Sequence, residues 1–178
     1  MNKTGFKPRE IIFKNAYREL KPGDLFIIPR IYFKRDIEES TLMEDVSPWL
    51  NKIPALAKSL THKGVKLILI GPTPFFWEMT DIRECSLEDR ERCSVDRNSL
   101  FKGNALIAPQ LHELTEKHDN IFLFEPFPTL CQANQDRCYP DDGQVFLYRD
   151  REHLNTAGAK KLTRPFVQFL RKKSLLTK

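Results

Sequence analysis

The apolar run VKLILI at residues 65–70 constrains the fold of this chain more than any other stretch. A run of this kind is typical of a strand in a parallel sheet that helices cover on both faces. The segment DLFIIPRI at 24–31 indicates a second strand, in which Pro29 predicts an edge position or an early end. NIFLFEP at 120–126 indicates a third. Together these segments predict a short parallel sheet between layers of helices.

Amphipathic segments alternate with these strands. The apolar spacing predicts helices at 8–21, from Ser47-Pro48 to Gly64, at 104–118, and from Asn155 or Thr156 to about Lys172. Strands and helices that alternate in this way build right-handed βαβ crossovers. The predicted fold class is therefore α/β, a three-layer α/β/α arrangement around a short parallel sheet.

The carboxyl edge of this sheet is the expected place for chemistry, because ligands of open α/β sheets bind outside the carboxyl ends of the strands. Three segments fall at that edge: GPTP at 71–74, EPFP at 125–128, and the loop that carries Asp150 and His153. No glycine-rich phosphate loop follows any of the strands, which disfavours a flavodoxin-like nucleotide-binding module.

The length and the charge of the chain limit its number of domains and its partners. With 178 residues, the chain is predicted to form a single domain over 1–178. Its net charge of +5 lies largely at the two ends without interleaved aromatic residues, so nucleic acid is not predicted as a partner. No apolar run is long enough to cross a bilayer, and the first residues lack the apolar segment of a signal peptide.

The four cysteines occur as two local pairs in polar, loop-like stretches. Cys85 and Cys93 form the first pair and Cys131 and Cys138 the second, and both spacings are longer than those of zinc-binding motifs. The pattern favours two disulfides, Cys85–Cys93 and Cys131–Cys138, and with them an oxidising compartment. Four unpaired thiols in a cytosolic chain are the alternative at this point.

The stretch YRDREHLNTAGA at 148–159 places Asp150 three residues before His153, at the predicted start of the last helix. An aspartate that accepts a hydrogen bond from the Nδ1–H of a histidine fixes the tautomer and leaves Nε2 free as a general base. The spacing alone is a weak signal, because a helix-start aspartate beside an exposed histidine has the same pattern.

The block LYRDREHLNTAGAKKL at 147–162 resembles the terminal block of the SGNH (GDSL-like) hydrolase superfamily. More narrowly, it resembles the SGNH domain that is fused behind the acyltransferase-3 membrane domain of bacterial O-acyltransferases. The cysteine pair Cys131 and Cys138, the stretch LKPGDLFII at 20–28 and ILIGPTP at 68–74 fit the same resemblance.

This resemblance implies a flavodoxin-like sheet of order 2-1-3-4-5 in which Asp150 and His153 are the acid and the base of a Ser-His-Asp triad. It also implies an O-acyltransferase or esterase that acts on acyl groups of a cell-envelope carbohydrate, on the extracytoplasmic side of a membrane. The implied partners are a glycan substrate and an acyltransferase-3 membrane domain encoded upstream. No metal and no cofactor are implied.

Two features depart from the family pattern. The family serine lies in a GDSH-type turn after the first strand, whereas the only Gly-Asp of this chain, Gly23-Asp24, precedes a strand. Where the family often has an oxyanion asparagine, this chain has Pro29 and Arg30, and a prolyl nitrogen cannot donate a hydrogen bond. The serines considered for the missing role are Ser40, Ser47, Ser59, Ser86, Ser94, Ser99 and Ser174.

From these departures we expect the chain to be the carboxy-terminal part of an SGNH domain, truncated at its amino end. It would hold strands 3, 4 and 5 of the family sheet and the Asp-His pair, with the first two strands and the nucleophilic serine encoded upstream. The alternative is a catalytically inactive SGNH-fold domain with a binding or accessory role.

Overall fold

The structure is a computed structural model of the chain and describes residues 7–32, 46–77, 79 and 81–176. Its helices are α1 (Lys7–Glu19), α2 (Ser47–Leu50), α3 (Ile53–Thr61), α4 (Arg97–Lys117), α5 (Phe127–Leu130) and α6 (Thr156–Lys172). Its strands are β1 (Leu25–Ile28), β2 (Lys66–Ile70), β3 (Val95–Asp96), β4 (Ile121–Phe124) and β5 (Arg137–Cys138). Within these ranges, no helix combines the length and the apolar character needed to cross a membrane.

A parallel sheet of order β1-β2-β4 forms the centre of the molecule. The central strand β2 comes from the VKLILI run, and its Leu67, Ile68 and Leu69 have no solvent exposure. Strand β1 pairs only with β2 among the described residues, so its other edge has no strand partner there. The predicted α/β class with a short parallel sheet is confirmed.

Successive side chains of each strand point to opposite faces of the sheet, so the apolar strands present apolar side chains on both faces. Helices cover both of these faces. Leu67 and Leu69 belong to a core that also contains residues of α3 and α4. Ile68, on the opposite face, packs in a second core with Phe124 of β4 and with Leu170 of α6. The result is the predicted three-layer arrangement.

Prolines move two of the predicted boundaries. Strand β1 ends at Ile28 rather than at residue 31, because the Pro29 nitrogen has no hydrogen to donate to a ladder. The helix predicted from Ser47 is divided into α2 and α3, and each has a proline in its first turn. The sequence pattern Ser47-Pro48 suggests Ser47 as the N-cap, but this is wrong, since Val46 takes that position and Ser47 is the first residue of α2.

Helix α4 begins at Arg97, seven residues before its predicted start. The Asp96 side chain accepts a hydrogen bond from the Ser99 amide at 2.7 Å and so caps the helix. The preceding residues form β3, which pairs in an antiparallel manner with β5. This small second sheet was not predicted from the sequence.

Both predicted disulfides are present and belong to the same core as this second sheet. Cys85–Cys93 and Cys131–Cys138 have Cα–Cα distances of 5.8 and 5.1 Å. Cys138 lies in β5 opposite Val95 of β3, so the two bridged loops meet in one core. Cys131 and Cys138 have no solvent exposure.

An ion pair joins the same two loops. Arg90 donates through Nε to a carboxylate oxygen of the buried Asp141 at 2.6 Å, and its guanidinium lies 4.2 Å from the centre of the Tyr139 ring. Asp141 also accepts a hydrogen bond from the Gly143 amide. Arg90 therefore connects the segment between β2 and β3 to the segment that leads into the Asp150 loop. No role for Arg90 was predicted from the sequence.

We predict that the two disulfides differ in their effect on stability. Each closes a short loop, with separations of 8 and 7 residues, so the loss of either should lower the free energy of unfolding by about 2–3 kcal/mol. The variant Cys131→Ser/Cys138→Ser should lose more than Cys85→Ser/Cys93→Ser, because it also places two hydroxyls in a core without exposure. Urea denaturation of both double variants measures this difference, and equal losses would contradict the account.

Candidate active site

The loop that carries Asp150 and His153 is held as a narrow hairpin between residues 147 and 155. Tyr148 and Leu154 form an antiparallel bridge, the Arg149 amide donates to the His153 carbonyl at 2.9 Å, and the Asn155 amide donates to Leu147 at 2.9 Å. The Tyr148 side chain is 1% exposed and anchors the loop in the core, with its ring 4.8 Å from that of Phe76. The loop is therefore held from both ends.

Asp150 and His153 are in direct contact, as the sequence predicts. Both carboxylate oxygens of Asp150 lie 2.9 Å from Nδ1 of His153. The second ring nitrogen, Nε2, makes no hydrogen bond to a described residue. The imidazole is 37% exposed and the carboxylate 41%, so the pair is accessible to a substrate. A histidine held through Nδ1 in this way can accept a proton at Nε2.

Backbone amides hold the Asp150 carboxylate in place. Its Oδ1 accepts hydrogen bonds from the amides of Glu152 at 3.0 Å and His153 at 2.8 Å. Partial burial raises the pKa of Asp150, but the hydrogen bonds from Glu152 and His153 outweigh it and bring the pKa below its ordinary value. Asp150 is therefore ionised at neutral pH and suited to orient an imidazole and stabilise an imidazolium.

Asn155 joins the loop to α6. Its Oδ1 accepts from the Gly158 amide at 3.0 Å and caps the helix, while its Nδ2 donates to the carbonyls of Phe146 at 2.7 Å and Tyr148 at 3.2 Å. One side chain thus holds the first turn of α6 against the segment that leads into the loop. The Asn155 of the D-x-x-H-L-N block is a positioning residue.

Gly158 allows a closer contact at the same place. A Cβ atom at this position would lie 2.2 Å from the carbonyl oxygen of Leu147 and 2.8 Å from a methyl group of Leu154. Since real Cβ contacts are not this short, only glycine permits α6 to start against the backbone of residue 147. The glycine in the NTAGA stretch is therefore required for the packing of the Asp150 loop.

A cavity of about 430 Å³ adjoins the His153 ring, a volume in the range of ~300–1,000 Å³ that is usual for small-molecule sites. Its walls come from the residues after β1, the residues after β2, the Asp150 loop and α6, and most of them are apolar. The position at the carboxyl ends of β1 and β2 is the one predicted for chemistry. The lining residues are Pro29, Arg30, Ile31, Tyr32, Ile70, Gly71, Thr73, Phe75, Glu152, His153, Leu154 and Leu162.

No described serine lines this cavity. Ser94, for example, is fully buried and donates to the Glu91 carbonyl at 2.7 Å, and Ser59 contacts the hydroxyl of Tyr17 at 2.6 Å. Ser40 lies outside the described residues. The two residues at the expected oxyanion position, Pro29 and Arg30, do line the cavity, and Arg30 also stacks 5.0 Å from the centre of the Trp49 ring.

Glu152 is a residue of the site that was not predicted from the sequence. Its side chain is only 9% exposed, it lines the cavity, and one of its carboxylate oxygens lies 3.7 Å from Nδ1 of His153. Glu152 therefore adds a second negative charge beside the imidazole. The burial of Glu152 depends on how the loop packs on segments that are distant in sequence. No local sequence pattern around a charged residue in a turn indicates such burial.

Asp150, Glu152 and His153 also form the one group of three potential metal ligands among the described residues, with ligand atoms within 4.8 Å of one another. Both oxygens of Asp150 already lie 2.9 Å from the imidazole, and Oδ1 also accepts two amide hydrogen bonds. The contacts match an Asp-His pair, and we assign no metal to them.

Comparison with known proteins identifies a family for most of the chain. A family model described as an SGNH domain (fused to AT3 domains) matches residues 9–168. This range includes the parallel sheet, both disulfides and the Asp150 loop. Comparisons with curated proteins and with solved structures give no match.

We predict that Gly158→Ala destabilises the protein, although alanine is normally favoured over glycine in a helix by about 1 kcal/mol. The added methyl group would displace the Leu147 backbone, which should lower the free energy of unfolding by about 1–3 kcal/mol. It should also shift the NMR signals of the His153 ring, because the loop is bonded to the start of α6.

The control is Ala159→Gly, at the adjacent exposed position of the same helix. It should lower the free energy of unfolding by about 0.5–1 kcal/mol and leave the His153 signals in place. A neutral or stabilising effect of Gly158→Ala would show that α6 does not depend on this close contact.

Proposed function

The chain belongs to the family of SGNH domains that are fused to AT3 domains, and on this premise we propose that it takes part in O-acyl transfer or ester hydrolysis on carbohydrate of the cell envelope. The family supports a hydrolase-like or acyltransferase-like domain with a membrane acyltransferase-3 partner. One observation carries the catalytic part of the proposal: His153, which contacts Asp150, lines a cavity at the carboxyl edge of the sheet.

In the proposed reaction, His153 acts through Nε2 as the general base. It takes the proton of a serine hydroxyl while the serine oxygen attacks the acyl carbonyl carbon. The tetrahedral intermediate then collapses, the alkoxide of the donor ester leaves, and His153 returns the proton to it. A sugar hydroxyl or water repeats the sequence on the acyl-serine, giving transfer or hydrolysis.

Asp150 supports both proton transfers from the other side of the ring. Its carboxylate accepts from Nδ1–H, fixes the tautomer with Nε2 unprotonated, and stabilises the imidazolium that forms. The amides of Glu152 and His153 hold that carboxylate, so the ring keeps its orientation between the two steps. Asp150 is thus assigned as the acidic member of the triad, and His153 as its general base.

The nucleophilic serine is proposed to lie on a segment outside the described residues that pairs with the open edge of β1. Strand β1 lacks a second strand partner among the described residues, and its Ile27 side chain is 43% exposed. A parallel strand on this edge would bring its carboxyl end beside Pro29 and Arg30, at the cavity wall. A serine in the turn after that strand would face the His153 side of the cavity.

Arg30 is the proposed cation nearest to the developing oxyanion. It lines the same cavity as His153, whereas the neighbouring Pro29 has no N–H to offer. The stacking of Arg30 on Trp49 limits the directions in which the guanidinium can point. Further donors would then come from the backbone of the serine turn, which is the usual source in acyl-transfer enzymes.

The extracytoplasmic location is part of the proposal. Two disulfides are typical of proteins that fold in an oxidising compartment. A membrane acyltransferase-3 domain would supply the acyl group from the bilayer side, and the glycan would supply the acceptor hydroxyl. The proposal needs no metal and no diffusible cofactor.

A second candidate function is an inactive SGNH-fold domain with a binding or accessory role. The observation that favours it is the lack of a described serine in the cavity that contains His153. In that case the Asp150–His153 contact would only stabilise the loop.

Turnover of p-nitrophenyl acetate by the 178-residue chain, and by the protein extended upstream to include a family serine, tests the proposal. The short chain should be inert and the extended protein active. His153→Ala and Asp150→Asn in the extended protein should lower kcat by about 10²–10⁴-fold, because each removes general base catalysis. His112→Ala, an exposed histidine on α4, is the matched control and should leave kcat unchanged.

Two results would contradict the proposal. Activity of the short chain that depends on His153 would mean that one of its own serines, with Ser40 as the first suspect, is the nucleophile. Equal activity of the extended protein with and without His153 would support the accessory role.

A further inference from the structure

Most of the positive charge of the last helix has no acidic partner among the described residues. Residues 153–176 contain no aspartate or glutamate, and α6 with the residue after it contains six lysine or arginine residues. Lys161 lies 3.4 Å from the Asp142 carboxylate. The other five are exposed and form no ion pair or hydrogen bond through their side chains with a described residue: Lys160, Arg164, Arg171, Lys172 and Lys173.

Three of these residues form the outer face of α6, while Lys172 and Lys173 lie at its carboxyl end. Lys160, Arg164 and Arg171 are spaced by four and seven residues and so lie within about 40° of one another around the helix. The apolar side of the helix is already used, because Phe166 and Leu170 pack in the core on β2 and β4. The solvent-exposed side of α6 is therefore charged and has no apolar stripe.

We propose that the outer face of α6 docks the domain on the surface of an anionic phospholipid bilayer. This inference rests on the membrane partner in the proposed function, since the family is fused to AT3 domains. Basic side chains within a Debye length of an anionic bilayer are attracted to it, and the three on this face act together. The contact is electrostatic and reversible, because no apolar face of α6 is free to insert.

Nucleic acid fits this face less well. Single-stranded nucleic acid binds to basic grooves with exposed aromatic rings on which the bases stack. Phe166 and Phe169, the two aromatic residues of α6, instead lie against Phe124 with ring centres 5.0 and 5.5 Å away. A flat bilayer needs only a convex row of cations.

The docked orientation has a consequence for the catalytic pair. Helix α6 begins at Thr156, three residues after His153, and with 17 residues it is about 25 Å long. A domain that lies on the bilayer along this helix keeps the His153 cavity at one end of the contact, close to the source of an acyl group delivered from the membrane.

Vesicle binding of the 178-residue chain tests the inference. The chain should co-sediment with equimolar phosphatidylcholine–phosphatidylglycerol vesicles and not with phosphatidylcholine alone. Binding should be present at about 0.1 M salt, where the Debye length is about 10 Å, and lost at about 1 M salt, where it is about 3 Å. The variant Lys160→Glu/Arg164→Glu/Arg171→Glu should lower the partition coefficient at least about tenfold.

A matched variant distinguishes an effect of the position of the charges from an effect of the net charge. Lys52→Glu/Lys58→Glu/Lys102→Glu changes exposed residues on or near α3 and α4, and either triple reversal takes the net charge from +5 to −1. The matched variant should keep its vesicle binding, and circular dichroism should show that both variants are folded. In the extended protein, hydrolysis of the soluble ester should be the same in both, so failure here is distinguishable from failure of the catalytic proposal.

Three results would overturn the inference. The first is recovery of the chain only in the supernatant of anionic vesicles. The second is an equal loss of binding in both triple variants, which would mean that net charge rather than this face of α6 determines binding. Displacement of the chain from vesicles by duplex DNA, with the same dependence on Lys160, Arg164 and Arg171, would instead assign the face to nucleic acid.

Discussion

The site depends on the close contact between the first turn of α6 and the backbone at residue 147. Gly158 allows this contact, because any Cβ would meet the Leu147 carbonyl oxygen, and Asn155 bonds across it to Phe146 and Tyr148. The loop between these two anchors is short enough that Asp150 can accept from the amides of Glu152 and His153 and from His153 Nδ1 at once. The Asp150–His153 pair is thereby held in one orientation, as the proposed general base requires.

In the proposed function, the open edge of β1 and the lack of a described serine in the cavity are connected. The central strand β2 is buried on both faces and paired on both edges, whereas β1 has one unpaired edge among the described residues and an exposed Ile27. Unpaired apolar edges are costly and normally covered. The cavity beside His153 is bounded in part by the residues that follow β1, so a strand that covered this edge would also complete the cavity wall. One added element would meet both a packing need and a chemical need.

Local patterns in the sequence were sufficient for part of this picture. The apolar run at 65–70 predicted β2, Pro29 predicted the early end of β1, and short cysteine spacings in polar loops predicted both disulfides. The contact of Asp150 with His153 followed from a block of adjacent residues. Features that arise from contacts distant in sequence were missed. The pairing of β3 with β5 joins segments more than 40 residues apart, and the burial of Glu152 and the requirement for Gly158 depend on how the loop and α6 pack together.

The central claim is that Asp150 holds His153 as the Nδ1–H tautomer with Nε2 directed to the cavity. A long-range ¹H–¹⁵N NMR correlation spectrum of the imidazole rings, recorded where the rings are neutral, tests it directly. The account predicts a protonated Nδ1 and an unprotonated Nε2 for His153, and a mixture of tautomers once Asp150 is replaced by Asn. A His153 ring protonated at Nε2, or one whose tautomer is unchanged by Asp150→Asn, would contradict the account, because Asp150 would then not orient the base.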